Sequence, residues 1–129
     1  MNKSDILTIF NNQLGLFFDD IISIFPNDND LKVAQLSLFG IRKANPRLIV
    51  SIWNEHIANQ YRNEISEGNI NFFIEKDYTE DLKDSGNASI ILSKISVLRE
   101  PIKKLGEENL QKTIQYLQNL TKISDLYYE

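Results

Sequence analysis

Apolar residues recur with the period of an α-helix along most of this chain. In the first 25 residues they are spaced so that they fall on one face of a single helix. This stripe consists of Leu7, Phe10, Leu14, Phe17, Phe18, Ile21 and Phe25. Ser4 is a favourable N-cap and Pro26 cannot continue a helix, so the pattern predicts a first helix from about Ser4 to Phe25.

Two more helices are predicted before residue 70. The polar turn at 27–30 is expected to cap the second, whose apolar face is Leu31, Ala34, Leu38 and Ile41. Asn45 followed by Pro46 predicts the start of the third, because asparagine caps a helix and proline is tolerated at its first position. That helix should run to about Ile65, and Gly68 is free to take the left-handed conformation that ends a helix. Its stripe, spaced every four residues, is Ile49, Trp53, Ile57 and Tyr61.

The second half of the chain continues the helical pattern after one ambiguous stretch. The apolar run at 70–74 predicts a short element, either a pair of helical turns or a brief strand, and segments 77–81 and 84–87 predict loop and turn. A fourth helix should start near Ala88, with a kink or break at Pro101. Gly106 opens the last helix. We therefore predict an all-α fold in one domain, residues 1–129: an irregular bundle of four to five main helices plus a short element near residues 70–75.

Composition adds limits on the class of protein. Apolar residues make up 42% of the 129 positions and charged residues 25%, as in a soluble globular domain. The absence of cysteine excludes disulfides and thiolate metal sites, and it is compatible with a reducing cytosol. No apolar run reaches 18 residues and no signal-peptide pattern is present, so we expect no membrane span and a cytoplasmic location.

Reactive chemistry is sparse. The single histidine, His56, has no second histidine or cysteine with which to bind zinc. The acidic groups at 28–30 and 77–81 lack the glycine of a calcium-binding loop and are expected to be solvated turns and caps. No glycine-rich phosphate loop is present. We therefore predict no catalytic, cofactor or metal site, and a protein that is not an enzyme.

Two groups of residues are candidates for interaction. Arg42, Lys43 and Arg47, which we call the basic corner, surround the junction of the second and third helices. They could contact an anion or a nucleic acid, or Arg42 and Lys43 could only complement the negative end of the second helix. Tyr127 and Tyr128 are a possible docking element near residue 129. The other aromatics are predicted to pack in the core: Phe10, Phe17, Phe18, Phe25, Phe39 and Trp53.

Several short motifs resemble a family of small helical proteins of large nucleocytoplasmic DNA viruses. They are FNNQL at 10–14, FFDD at 17–20, FP at 25–26, NPR at 45–47 and QYLQNL at 115–120. These motifs are structural: a stripe of core residues, a proline that ends a helix and a proline that begins one. The family supplies no catalytic residues. The resemblance implies cytoplasmic replication or virion assembly as the setting.

The function expected on these grounds is that of a non-enzymatic viral interaction protein. It would act in the virus factory or as a minor virion component, and so in the host cytoplasm or the virion. A viral or host protein is the expected partner, bound through a helical surface. The alternative is a nucleic-acid-associated factor that uses the basic corner, although the net charge of −4 opposes it. A homo-oligomer is left open.

Overall fold

The chain is helical along almost all of its described length. The computed structural model describes residues 2–75 and 86–129. Within them lie eight α-helices and one π-helical turn: α1 (Lys3–Ile24), α2 (Asn29–Ala44), α3 (Leu48–Trp53), the π-turn (Asn54–Ala58), α4 (Asn59–Ser66), α5 (Asn71–Glu75), α6 (Asn87–Ser96), α7 (Arg99–Lys103) and α8 (Glu107–Tyr127). These residues contain no strand, so the predicted all-α class is confirmed.

The first two helices begin at side-chain caps. Asn2, not Ser4, caps α1, because its side-chain oxygen accepts a hydrogen bond from the backbone N–H of Asp5 at 2.8 Å. The predicted cap was therefore wrong by two residues. Asp28 caps α2 in the same way and accepts from the N–H of Leu31 at 3.1 Å. Both caps satisfy an amide that has no partner inside its own helix.

The third helix differs from the prediction at its start and in its middle. It begins at Leu48, because Asn45 does not cap a helix at Pro46 but accepts from the N–H of Arg47, closing a turn before the helix. At Asn54–Ala58 one π-helical turn interrupts it. Gly68 has a φ of 75°, so it takes the left-handed conformation just after the end of α4, as predicted.

The π-turn directs a polar side chain onto α8. Asn54 donates hydrogen bonds to Ser124 at 3.2 Å and to the Asp125 carboxylate at 3.1 Å. Arg62, two turns further along, forms an ion pair with the other carboxylate oxygen of Asp125. These contacts attach the third helical segment to the last helix.

The second half follows the predicted order of elements. The short element near 70–75 is helical. The predicted break occurs at Val97 and Leu98, upstream of Pro101, which lies in the first turn of α7 where its missing N–H costs no helical hydrogen bond. The segments 77–81 and 84–85, which were predicted as loop and turn, lie outside the described residues.

Packing joins these helices around one apolar core. α1 lies along α8 and contacts α2, α2 contacts α6, and α5 contacts α7. The largest fully buried side chains are Trp53, Phe10, Phe17, Phe18, Phe73, Ile21, Leu31, Ile49, Ile57, Ile91, Leu92 and Ile95. The aromatic stripe of α1 therefore packs as predicted. No helix in the described part of the chain combines the length and the apolar character needed to cross a membrane.

Candidate protein-binding site

A groove of about 570 Å³ lies between α1 and α2 and opens to solvent. Its inner wall is apolar and includes Leu14, Phe18, Leu38 and Ile49, all of which are buried. Gly15 lies on the α1 side, where a Cβ atom would meet no other atom within 4 Å. We call this feature the α1–α2 groove.

The rim of the groove carries large apolar side chains that face solvent. Leu36 is 71% exposed, Phe39 50% and Leu16 49%. Phe39 was predicted to pack in the core, and that prediction is wrong. Phe39 lies about 100° around α2 from the buried Leu38, whereas Leu36 lies about 200° from it. Clusters of exposed apolar residues of this kind mark interaction surfaces. We call these three residues the groove face.

Polar contacts hold the two helices together at both ends of the groove. Arg42 donates to the side-chain oxygen of Asn12 at 2.7 Å. At the other end, Gln35 donates to Asp19 at 2.7 Å and to the carbonyl of Gly15 at 3.3 Å. The groove is therefore basic at one end and acidic at the other.

Asn11 adds a buried hydrogen-bond acceptor to the groove lining. Its amide donates to the carbonyl of Pro46 at 3.1 Å, which fixes the α2–α3 junction against α1. Its side-chain oxygen is buried and receives no hydrogen bond from any residue that the structure describes. A buried acceptor without a donor costs about 1–3 kcal/mol.

The structure places only part of the basic corner at the groove. Arg42 lines it, and the Lys43 ammonium lies 4.7 Å from the centre of the Phe39 ring, a cation–π contact on the groove face. Arg47 is exposed at the N-cap position of α3. Arg42 and Lys43 also lie in the last turn of α2, where they complement the negative end of the helix. This is the second of the two roles that the sequence suggests for them.

Tyr127 and Tyr128 lie elsewhere. The carbonyl of Tyr127 accepts from the Lys3 ammonium at 2.8 Å, and the same ammonium lies 5.3 Å from the Tyr127 ring centre. Lys3 is nine residues before Asn12 on α1, so at about 100° per residue they lie on opposite sides of that helix. The two tyrosines are therefore not part of the groove, and Tyr128 is half exposed.

Asp19 and Arg42 are the charged side chains that line the groove. The described residues contain no group of three or more histidine, cysteine, aspartate or glutamate side chains that could hold a metal ion. Two groups with clearly shifted pKa values lie outside it. Burial and a hydrogen bond to Asp20 raise the pKa of Tyr116 to about 12, and Lys103 lowers the pKa of Glu100.

Comparisons with models of protein families, with curated proteins and with solved structures yield no match to this chain.

The spacing of apolar residues predicts one core stripe for each helix, and the groove face lies outside those stripes. Val33, Leu36 and Phe39 follow one another at three-residue spacing, off the stripe that contains Leu31 and Leu38. The sequence signal for this surface is a second apolar stripe on α2, a helix whose first stripe already packs in the core.

Proposed function

We propose that this protein is a non-enzymatic interaction protein that binds a protein partner through the α1–α2 groove. One observation carries the proposal: Leu16, Leu36 and Phe39 present large apolar side chains to solvent around an apolar cleft. Burying exposed apolar surface contributes about 25 cal/mol per Å², and it is the main favourable term in protein association.

A helix is the partner structure that fits this site. Grooves between two helices accept the apolar face of a third, with anchors spaced three or four residues apart. Asp19 and Arg42 at opposite ends would fix the direction of the bound helix through its own charges.

The setting we propose is a virus factory or a virion in the host cytoplasm. Its support is the resemblance of the motifs at 10–14, 17–20 and 45–47 to proteins of large nucleocytoplasmic DNA viruses.

Substituting Leu36→Glu is expected to abolish capture of the partner. A tagged wild-type chain would be purified from infected cells and the captured proteins identified by mass spectrometry. Leu126→Glu is the matched control, because Leu126 is 46% exposed, lies on α8 and is not among the residues that line the groove. Partners captured by the wild type and by Leu126→Glu, and lost from Leu36→Glu, support the proposal. Identical capture by all three chains would contradict it.

Nucleic-acid binding through the basic corner is the alternative, supported by the exposed Arg47. Three cations give a log–log salt slope of only about −2 to −3 on duplex DNA. The net charge of −4, with eight acidic and three basic side chains in residues 55–84, opposes even that. We expect no measurable duplex binding at physiological salt in a fluorescence-anisotropy titration. Submicromolar binding, lost in the Arg42→Ala, Arg47→Ala double variant, would reverse the ranking.

A further inference from the structure

We propose that the solvent side of α2 binds the surface of a lipid bilayer that contains anionic headgroups. We call this surface the α2 face; it consists of Lys32, Val33, Leu36, Phe39 and Lys43. The inference goes beyond the proposed function and does not rest on it. It is supported by the apolar residues of the α2 face, by the position of the two lysines, and by the direction in which the nearby acidic side chains lie.

The apolar residues of the α2 face form one broad arc. At about 100° per residue, Val33 and Phe39 lie about 60° to either side of Leu36, so the three side chains cover about 120° of the helix surface. Leu36 and Val33, the latter 56% exposed, are the two most exposed large apolar residues in the described part of the chain. An apolar arc wider than about 100° is typical of a helix face that is buried against something else.

The two lysines lie within the same arc, one toward each end of the helix. Lys32 lies about 40° and Lys43 about 20° from Leu36 around the helix. Along the axis, Lys32 precedes Leu36 by about 6 Å and Lys43 follows it by about 10 Å. The Lys43 ammonium lies 4.7 Å from the centre of the Phe39 ring, so its charge is beside the apolar residues. Lysine stems can lie along apolar surface while the ammonium groups reach the polar layer above it.

Acidic side chains near α2 lie away from the α2 face. Asp30 lies about 120° around the helix from Leu36. Asp19 on α1 accepts a hydrogen bond from Gln35, which lies about 100° from Leu36 on the side of the groove. The charges beside the exposed apolar residues are therefore positive, and the surface that complements them is anionic.

Shape favours a bilayer over a folded partner at this surface. Lys32, Val33 and Lys43 do not line the α1–α2 groove, and the solvent side of a single helix is convex. Lysine is a point charge on a flexible stem and requires no partner of fixed geometry. A bilayer interface offers apolar and anionic surface side by side, and α2 would lie in its plane with the apolar arc inserted.

The expected binding is weak and reversible. Three partly exposed side chains insert less apolar surface than a myristoyl chain, which by itself gives an association constant of only about 10⁴ M⁻¹. Each lysine near an anionic surface adds about fivefold. The net charge of −4 opposes binding, but charges more than about 8 Å from the headgroups are largely screened at physiological salt. We therefore expect binding that requires anionic lipid.

Sedimentation of the purified full chain with vesicles tests the role of charge. The wild type should bind vesicles of phosphatidylcholine with about 30% phosphatidylserine, and at least about tenfold more weakly vesicles of phosphatidylcholine alone. Lys32→Gln combined with Lys43→Gln should weaken binding to the anionic vesicles by about 25-fold. The matched control is Lys112→Gln combined with Lys122→Gln, which removes two exposed lysines of α8 and changes the net charge equally. It should bind within about twofold of the wild type.

Two substitutions of Leu36 test the apolar contribution. Leu36→Glu should abolish binding to both kinds of vesicle, whereas Leu126→Glu on α8 should leave it unchanged. Leu36→Trp should bind severalfold more tightly, because tryptophan is favoured at the bilayer interface. A gain of binding cannot result from a failure to fold.

A fluorescent label tests which part of the chain enters the bilayer. The chain has no cysteine, so Leu36→Cys introduces a single thiol that can carry the environment-sensitive dye nitrobenzoxadiazole. Its emission should shift to the blue on addition of the anionic vesicles. The same dye on Leu126→Cys should show no shift.

Three outcomes overturn the inference: a wild type that does not bind the anionic vesicles, an equal loss of binding in both double-lysine variants, or an equal shift of the dye at both positions. If vesicle binding is absent while capture of proteins from cells depends on Leu36, the inference fails and the proposed function stands. If the vesicles bind as expected while capture is independent of Leu36, the proposed function fails and the inference stands.

Discussion

Replacing Trp53 by alanine is expected to lower the free energy of unfolding by about 3–5 kcal/mol. The indole is fully buried, and its N–H donates to the Thr121 hydroxyl at 3.2 Å. Phe10 meets it edge-on, with ring centres 6.1 Å apart. The substitution removes contacts among α1, α3 and α8 together and leaves a cavity where the three helices meet. Urea unfolding followed by far-ultraviolet circular dichroism measures the change without depending on tryptophan fluorescence.

Two further variants separate the ring from its hydrogen bond. Trp53→Phe keeps most of the apolar volume but loses the donor, so it should cost less than alanine. Thr121→Val leaves the buried indole N–H without its partner, which costs about 1–3 kcal/mol. Unchanged melting of Trp53→Ala, combined with lost partner binding, would contradict the core assignment and make Trp53 an interface anchor.

The spacing of apolar residues predicts the buried face of the third helix but not the position of its π-turn. Of the predicted stripe, Ile49, Trp53 and Ile57 are buried and Tyr61 is partly buried, and the next residue at the same spacing, Ile65, is buried again. In a regular α-helix each step of four drifts by about 40°, so a long stripe of this spacing leaves the core. A π-turn inserts one extra residue and brings the stripe back. The unbroken spacing of four was visible in the sequence, but the position of the extra residue depends on packing against α8.

Cap positions could be predicted only to within two residues. Asn2 and Ser4 are both good N-caps, and each would start α1 with an apolar face in the same orientation toward the core. The choice depends on which side chain reaches a free amide, and Asn2 reaches that of Asp5. At Asn45 the side chain bonds to Arg47 two residues on, a local alternative that asparagine offers wherever the backbone turns.

The candidate site was predicted in part. The residues of its charged end, Arg42 and Lys43, stood out as cations without nearby acids, and both contact the groove or its face. The apolar part did not stand out, because Phe39 is equally compatible with a core position when α2 is considered alone. Only the arrangement of α1 and α6 around α2 leaves that face of the helix to solvent. Exposure is a tertiary property, whereas charge is read directly from the sequence.

Replacing Tyr116 by phenylalanine is expected to lower the free energy of unfolding by about 1–2 kcal/mol near pH 7. The Tyr116 hydroxyl donates to the Asp20 carboxylate at 2.7 Å, so α8 is attached to the end of α1 by a charge-assisted hydrogen bond. The ring stacks on Phe17 with centres 5.1 Å apart, and phenylalanine preserves that contact. The difference between wild type and variant therefore isolates the hydroxyl.

The same difference should depend on pH. Burial, together with the hydrogen bond to Asp20 and its negative charge, raises the pKa of Tyr116 from 10.0 to about 12, because all three disfavour the phenolate. A pKa raised in the folded state gives stability that is fully present below the unfolded pKa and is lost as the pH rises through the folded one. The stabilising effect of the hydroxyl should therefore be constant up to about pH 10 and should decline toward zero by about pH 12.

Urea unfolding of wild type and Tyr116→Phe at several pH values from about 7 to about 12 measures this decline. All other ionisable groups are common to both chains and cancel in the difference. Asp20→Asn is the matched control: it keeps an acceptor and removes the charge, so the pKa of Tyr116 should be lower than in the wild type while burial still raises it, and the loss of stability should extend over a narrower pH range. A difference that stays constant from about pH 10 to about pH 12 would mean that Tyr116 ionises equally in the folded and unfolded chains. The contact between Tyr116 and Asp20 would then add nothing to the attachment of α8.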